Sequence, residues 1–322
     1  MKIWQLIKRT IASIAISGCL FIAGCNKKED IVPVINDTVA GLILKGAEFN
    51  TLEALVAKAN LAITLDGTGP FTLFAPDDSA FAASGISVSY INSITQQQAQ
   101  SILLYHTLNS KVLVADLPAG PNAKVTTFSG DSVFVTKNSS GIYINGVKIL
   151  QNDIAADNGI IHKIERVLNP PAGTITQTVI VSGLDSLAKA IDRATNDTTG
   201  SPVLTNVLNT ATITMFAPTD SAFIYLLSAL SLTEINKIPV HTLVSILNYH
   251  IVPGLIFSPD LVDGPLTMLT GGNTTVNLTN GVDGGPAIMG GGNGGTASNI
   301  TTKNIVARNA VIHLIDKVLI PQ

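Results

Sequence analysis

The chain has 322 residues, of which 46% are hydrophobic and 13% charged, with a formal net charge of −3. That balance describes a globular protein and excludes a disordered one, and it leaves no basic footprint for nucleic acid. Two cysteines and one tryptophan, all within the first 25 residues, leave little for a disulfide framework or a tryptophan-lined sugar platform.

Lys2, Lys8 and Arg9 precede an apolar run over 11–23 that is too short to span a bilayer comfortably. Its basic, apolar, small-residue order is that of a secretory signal, assigned to residues 1–24. Ile22-Ala23-Gly24-Cys25 resembles the bacterial lipobox, in which the cysteine is lipidated and becomes the new N-terminus. Cys19 is a second candidate but would leave a very short apolar region, so Cys25 is preferred. Processing there removes Cys19 and Trp4, and residues 25–35 become a tether. Within it, Lys28-Glu29-Asp30 is similar to the surface-export tag of lipoproteins in Bacteroidetes-type bacteria. The place implied is the outer membrane, with the surface preferred to the periplasmic face.

A helix is predicted from Asn50, which has Glu53 three residues on as in a capping box, with Leu52, Leu55, Val56 and Ala59 on one face. Then FTLFAPDDSAF, Phe71 to Phe81, reads as a buried strand that stops at Pro76 and turns directly into a helix. Asp77 or Asp78 offers a carboxylate to the free N–H groups of that first turn. Thr95 with Gln98 opens another helix, which leads to Tyr105-His106. Alternating runs at 124–128, 132–136 and 142–144 predict a β-meander. The half closes on NGIIHKIERVL from Asn158, followed by the linker Pro170-Pro171-Ala172-Gly173.

The same order then returns. Asp185 is the expected cap of a helix carrying Leu187, Ile191 and Ala194. ITMFAPTDSAF follows, in which Pro218, Thr219 and Asp220 stand for Pro76, Asp77 and Asp78. Ser231 with Glu234 predicts the helix that leads to Tyr249-His250, and NAVIHLIDKVL from Asn309 closes the chain. The spacing between copies grows at two places, the polar run 196–202 and the region 281–295, which holds eight glycines. The latter lacks calcium-loop and phosphate-loop spacing and is expected to form long mobile hairpin loops. Repetition in one order implies two copies of one fold, with boundaries at 36–171 and 172–322.

The ordered set of FAPxDSAF, Tyr-His and Asn-x-x-Ile-His-x-Ile-(Asp/Glu)-(Lys/Arg)-Val-Leu, present twice, resembles the fasciclin domain family. The resemblance implies an α+β fold of two tandem fasciclin-like domains, each a wedge-like β-sandwich with several helices. It also implies a secreted or membrane-anchored adhesion protein and not an enzyme. No cofactor and no metal are expected.

His106, His162, His250 and His313 stand at repeat-matched positions, which fits a structural role. Neither a Gly-x-Ser-x-Gly elbow nor a His-Glu-x-x-His helix is present. His241 is unmatched and reads as a surface residue. Animal members of the family often centre adhesion on an Asp-Ile pair before the final strand. Asp153-Ile154 matches it, whereas the second copy has Asn304-Ile305. The interaction residues expected are therefore Tyr105, His106, Asp153, Ile154, Tyr249 and His250. The partners expected are matrix or cell-surface proteins, with membrane attachment through the lipid. The alternative is a glycan-binding accessory lipoprotein beside an outer-membrane uptake system, disfavoured by the missing tryptophan.

Overall fold

The computed structural model describes residues 37–197 and 199–322. Cys25, the signal 1–24 and the tether 25–35 lie outside the described residues, as does Thr198. The first copy runs α1 (Val39–Lys45), α2 (Asn50–Ala59), α3 (Ala62–Asp66), β1 (Phe71–Pro76), α4 (Asp78–Ala83), α5 (Val88–Ser93) and α6 (Gln96–Tyr105). It continues through β2 (Thr107–Leu108), β3 (Ala123–Thr126), β4 (Ser132–Asn138), β5 (Gly141–Ile144), β6 (Val147–Ala156) and β7 (Gly159–Ile164). The second runs α7 (Ile175–Val181), α8 (Asp185–Asn196), α9 (Pro202–Thr210), β8 (Ile213–Pro218), α10 (Asp220–Ala229), α11 (Val240–Asn248) and β9 (Ile251–Pro253). Its remaining strands are β10 (Gly264–Thr267), β11 (Asn273–Asn277), β12 (Ala287–Gly290), β13 (Ser298–Ala307) and β14 (Ala310–Ile315).

Strand order is β2-β1-β7-β6-β5-β4-β3 in one sheet and β10-β11-β12-β13-β14-β8-β9 in the other, the same topology read from opposite ends. The strands ending in proline, β1 and β8, lie beside β7 and β14 in parallel, pairing Phe74 with His162 and Phe216 with His313. Both are buried at every position, as a strand covered on two faces must be. Alternation divides their side chains between two cores. Leu73 and Ala75 face the helices with Leu52, Leu55 and Phe81, while Phe74 faces Val133, Val135 and Ile144 across the bent sheet. The bend comes from β6 and β13, each of which slips register twice against its neighbour. Asp153 and Asn304 sit in those irregular stretches with φ of 56° and 65°.

The carboxylates after the proline divide their work. Asp77 and Thr219 cap their own helices through the N–H groups of Ala80 and Ala222. Asp78 and Asp220 instead reach back to another helix, where their Oδ1 atoms accept from Thr51 N–H at 2.7 Å and Ser186 N–H at 2.8 Å. The predicted caps Asn50 and Asp185 therefore become first-turn residues of α2 and α8, and neither helix has a cap of its own. Each such carboxylate at a helix N-terminus stabilises by roughly 1 kcal/mol.

Two further expectations are corrected. Thr95 and Gln98 form the predicted capping box, but Ser231 has φ 55° in a turn and α11 begins only at Val240, after Pro239. Proline fixes φ and lacks an N–H, so it starts the helix where Ser231 cannot. The Gly-rich region is also pinned rather than loose. Strand β12 passes through it, Gly292 N–H donates to Ile320 O, and Asn293 bridges Val318 O and Ile320 N–H.

Candidate functional site

The Tyr-His pairs, expected at an interaction face, are buried: Tyr105, His106, Tyr249 and His250 are each no more than 3% exposed. The end of α6 or α11 is wedged between the two cores, so both side chains turn inward. Tyr105 Oη donates to Ser132 O and accepts from Asn145, itself buried. Tyr249 Oη donates to Asn273 O and accepts from Gly291 N–H. His106 Nδ1 donates to Ile102 O at 2.7 Å while Nε2 accepts from Leu168 N–H at 2.9 Å. His250 repeats this with Ile246 O and Leu319 N–H at 2.7 and 2.9 Å. Each ring thus ties its helix to the segment after the last strand. Both are held down to a pKa of about 4 by burial, which the backbone bond only partly offsets. Rings so used are not free for catalysis or for a partner.

His162 and His313 organise the surfaces where Asp153 and Asn304 lie. His162 stacks on Phe74, donates from Nε2 to Val112 O at 3.0 Å and accepts Asp153 N–H on Nδ1 at 3.1 Å. His313 stacks on Phe216 and makes the matching bonds to Ile256 O at 2.8 Å and Asn304 N–H at 3.4 Å. A buried ring therefore clamps the strand irregularity to the loop after the Tyr-His helix. The residue in left-handed backbone completes the clamp. Asp153 Oδ1 accepts Val114 N–H at 2.9 Å, and Asn304 Oδ1 accepts Ser258 N–H at 2.7 Å.

Superposing these bonds matches Val112 with Ile256, Leu113 with Phe257, Val114 with Ser258 and Asp116 with Asp260. The two faces then meet different fates. Phe257 is fully buried, its ring 5.9 Å from that of Phe134 on β4 of the first domain. Around it Thr136 Oγ1 donates to Asp260 at 3.1 Å, Asn138 donates to Pro259 O at 3.0 Å and Asn122 donates to Leu255 O. Burial raises the pKa of Asp260 above the ordinary carboxylate value, against the hydrogen bonds from Phe257 N–H, Thr136 and Asn122. Asn304 stands against the Asn145-Gly146 turn, where its amide touches the space a Gly146 Cβ would fill. In the first domain the same face is open, with Leu113 37% exposed and the Asp153 side chain 36% exposed. Ile154 is half-buried beneath it.

Asp153 and Ile154 are thus the predicted interaction residues that the structure leaves at a surface. Leu113, Phe134 and Phe257 were not singled out from the sequence, because they lie outside the repeated motifs. The contrast of Leu113 with Phe257 at matched loop positions was a signal that could have found them. Among the described residues no group of three or more His, Cys, Asp or Glu side chains could hold a metal. No helix among them is long and apolar enough to cross a membrane.

Comparison with known proteins agrees with the repeat. The fasciclin domain family model matches residues 47–170 and again 189–321. The Synechocystis protein sll1483 is 31% identical over 136 residues, 42% of this chain and 74% of that protein. Human periostin is 27% identical over 319 residues, 98% of this chain, and the pig transforming growth factor-beta-induced protein ig-h3 is 28% identical over 275 residues, 80% of this chain. The chain spans 35% of the length of each of the latter two. A solved structure, the FAS1 domain pair of the insect cell adhesion molecule fasciclin I, aligns over 86% of this chain and 97% of its own at 19% identity and a TM-score of 0.39. With two matched regions that together cover most of its length, the chain belongs to the fasciclin domain family, as a tandem pair of such domains.

Proposed function

We propose that this chain is a lipid-anchored adhesion protein of the cell envelope, which binds a matrix or cell-surface protein through the open face of its first domain. One observation carries the choice of face: Leu113 and Asp153 are exposed, whereas the matched Phe257 is buried against Phe134 and the matched Asn304 is half-buried against Gly146 of the first domain. The domains are taken as 36–171 and 172–322, and the anchor as Cys25, which places the pair on the outer membrane, facing outward. No catalysis is assigned, since each buried histidine spends both ring nitrogens on backbone groups.

Cells carrying the intact chain, scored for attachment to immobilised matrix protein, test the proposal. Leu113→Asp and Asp153→Ala are expected to cut attachment at least tenfold, and Cys25→Ala to release the protein from the cells along with its fatty-acid label. Attachment unaffected by the first two changes and blocked by soluble polysaccharide would favour glycan capture instead.

A further inference from the structure

The molecule contains its own example of what the open face accepts. In the second domain that face takes a β-sheet surface: the Phe134 ring packs at a tilt against Phe257, with Thr136, Asn138 and Asn122 supplying donors to the loop around it. The first domain offers the matched loop, clamped by a matched buried histidine, His162, and a matched left-handed residue, Asp153 in place of Asn304, with Leu113 where Phe257 stands and Asp116 where Asp260 stands. We propose that the open Leu113–Asp153 face of the first domain docks, from another polypeptide, a fasciclin-type sheet that carries an exposed aromatic flanked by hydroxyl and amide donors. This rests on the proposed function above and names the chemistry of the partner.

The chain's second domain is not that partner. Matching Tyr105 with Tyr249 through their bonds to Ser132 O and Asn273 O sets Thr275 in the place of Phe134. The turn Asn145-Gly146, which fits against Asn304, is replaced by the longer segment 291–297 between β12 and β13. Without the ring, and with a longer turn at its edge, the outer sheet of the second domain lacks the surface that makes the internal contact. Such a head-to-tail contact between identical chains would have propagated into closed rings or open filaments. The substitutions at Thr275 and 291–297 remove that outcome and leave the open face for a different fasciclin-type chain.

The test uses the intact chain and its own Phe134 surface as probe. Phe257→Asp places a carboxylate against the Phe134 ring, where burial without a partner is costly, and parts the two domains so that Phe134 is presented in trans. Small-angle scattering reports the parting as an increased radius of gyration. Wild-type chain is immobilised, and the Phe257→Asp chain is flowed over it. Saturable binding is expected, reduced at least tenfold when the immobilised chain carries Leu113→Asp and also when the flowed chain carries Phe134→Ser in addition. Parted chains that do not bind, or that bind regardless of Leu113→Asp, overturn the proposal. So does an unchanged radius of gyration, because Phe257 would then not hold the internal pair from which the partner's chemistry is inferred. Matrix attachment that still depends on Asp153 in the absence of this pairing leaves the proposed function standing and sinks only the fasciclin-type partner.

Discussion

Replacing His250 by Ala is expected to destabilise the second domain by about 3–5 kcal/mol, and replacing His106 by Ala to do the same to the first. Each ring is 1% exposed and satisfies two buried backbone groups, a helix carbonyl and the N–H of a segment beyond the last strand. Truncation leaves both without a partner, at about 1–3 kcal/mol each, and opens a cavity between the two cores. The backbone carbonyls of His106 and His250 also accept from Phe74 and Phe216 N–H, both at 2.9 Å. Displacement of the helix end would therefore weaken the central strand as well. Chemical denaturation of each variant, followed by tyrosine fluorescence and circular dichroism, checks the prediction. A loss below about 1 kcal/mol would show that the two bonds are dispensable. Unchanged stability with loss of a hydrolytic activity would revive an enzymatic reading.

Mild acid is expected to destabilise the protein through its buried histidines before Asp77 and Asp78 titrate. Burial holds His106, His250 and His313 at a pKa of about 4, against an ordinary value of 6.5, and lowers His162 in the same direction. Between those limits the unfolded chain binds protons that the native state refuses. Stability is therefore complete above pH 6.5 and falls as the pH drops toward 4. A shift of that size corresponds to about 3 kcal/mol for each of the three histidines, and the two in the second domain, His250 and His313, together approach the whole stability of a domain. The geometry gives the same direction. In each ring one nitrogen already accepts an N–H, so a proton there would set donor against donor. Asp77 and Asp78 act only below this window. Burial opposes their charge, but hydrogen bonds from Ser79, Ala80 and Lys163 to the one, and from Asn50 and Thr51 to the other, outweigh it and lower both pKa values. Urea denaturation at pH 7.5, 6, 5 and 4.5 should show the midpoint falling at each step. A midpoint constant down to pH 4.5 would contradict the assignment of neutral, doubly bonded rings.

Much of this was written in local pattern. A β-branched and aromatic run stopping at Pro76 or Pro218 must end its ladder there, and the recurrence of that run with Tyr-His and Ile-His in one order implied two copies of one fold. The caps were misread where the true partner was distant. Asn50 and Asp185 had the right spacing, but the carboxylates that serve those helices come from Asp78 and Asp220, 27 and 34 residues away from the N–H groups they accept. Burial of both members of the Tyr-His pair was equally out of reach, because adjacent residues at a helix end diverge and only the packing of two cores around that end encloses both. The candidate face was half legible. Asp153 was visible by resemblance, but Leu113 and Phe257 lie in loops without periodicity, and their meaning depends on how the domains meet.

Hydroxyl-radical footprinting of the intact chain tests that meeting most directly, since it reads the accessibility of matched side chains in one sample. Leu113 should be oxidised readily, while Phe257 stays protected until Phe134→Ser removes the ring between the domains and exposes it. Oxidation of Phe257 in the wild-type chain at a rate comparable to Leu113 would mean that both copies of the face are open. The choice of the first domain as the binding surface would then fail.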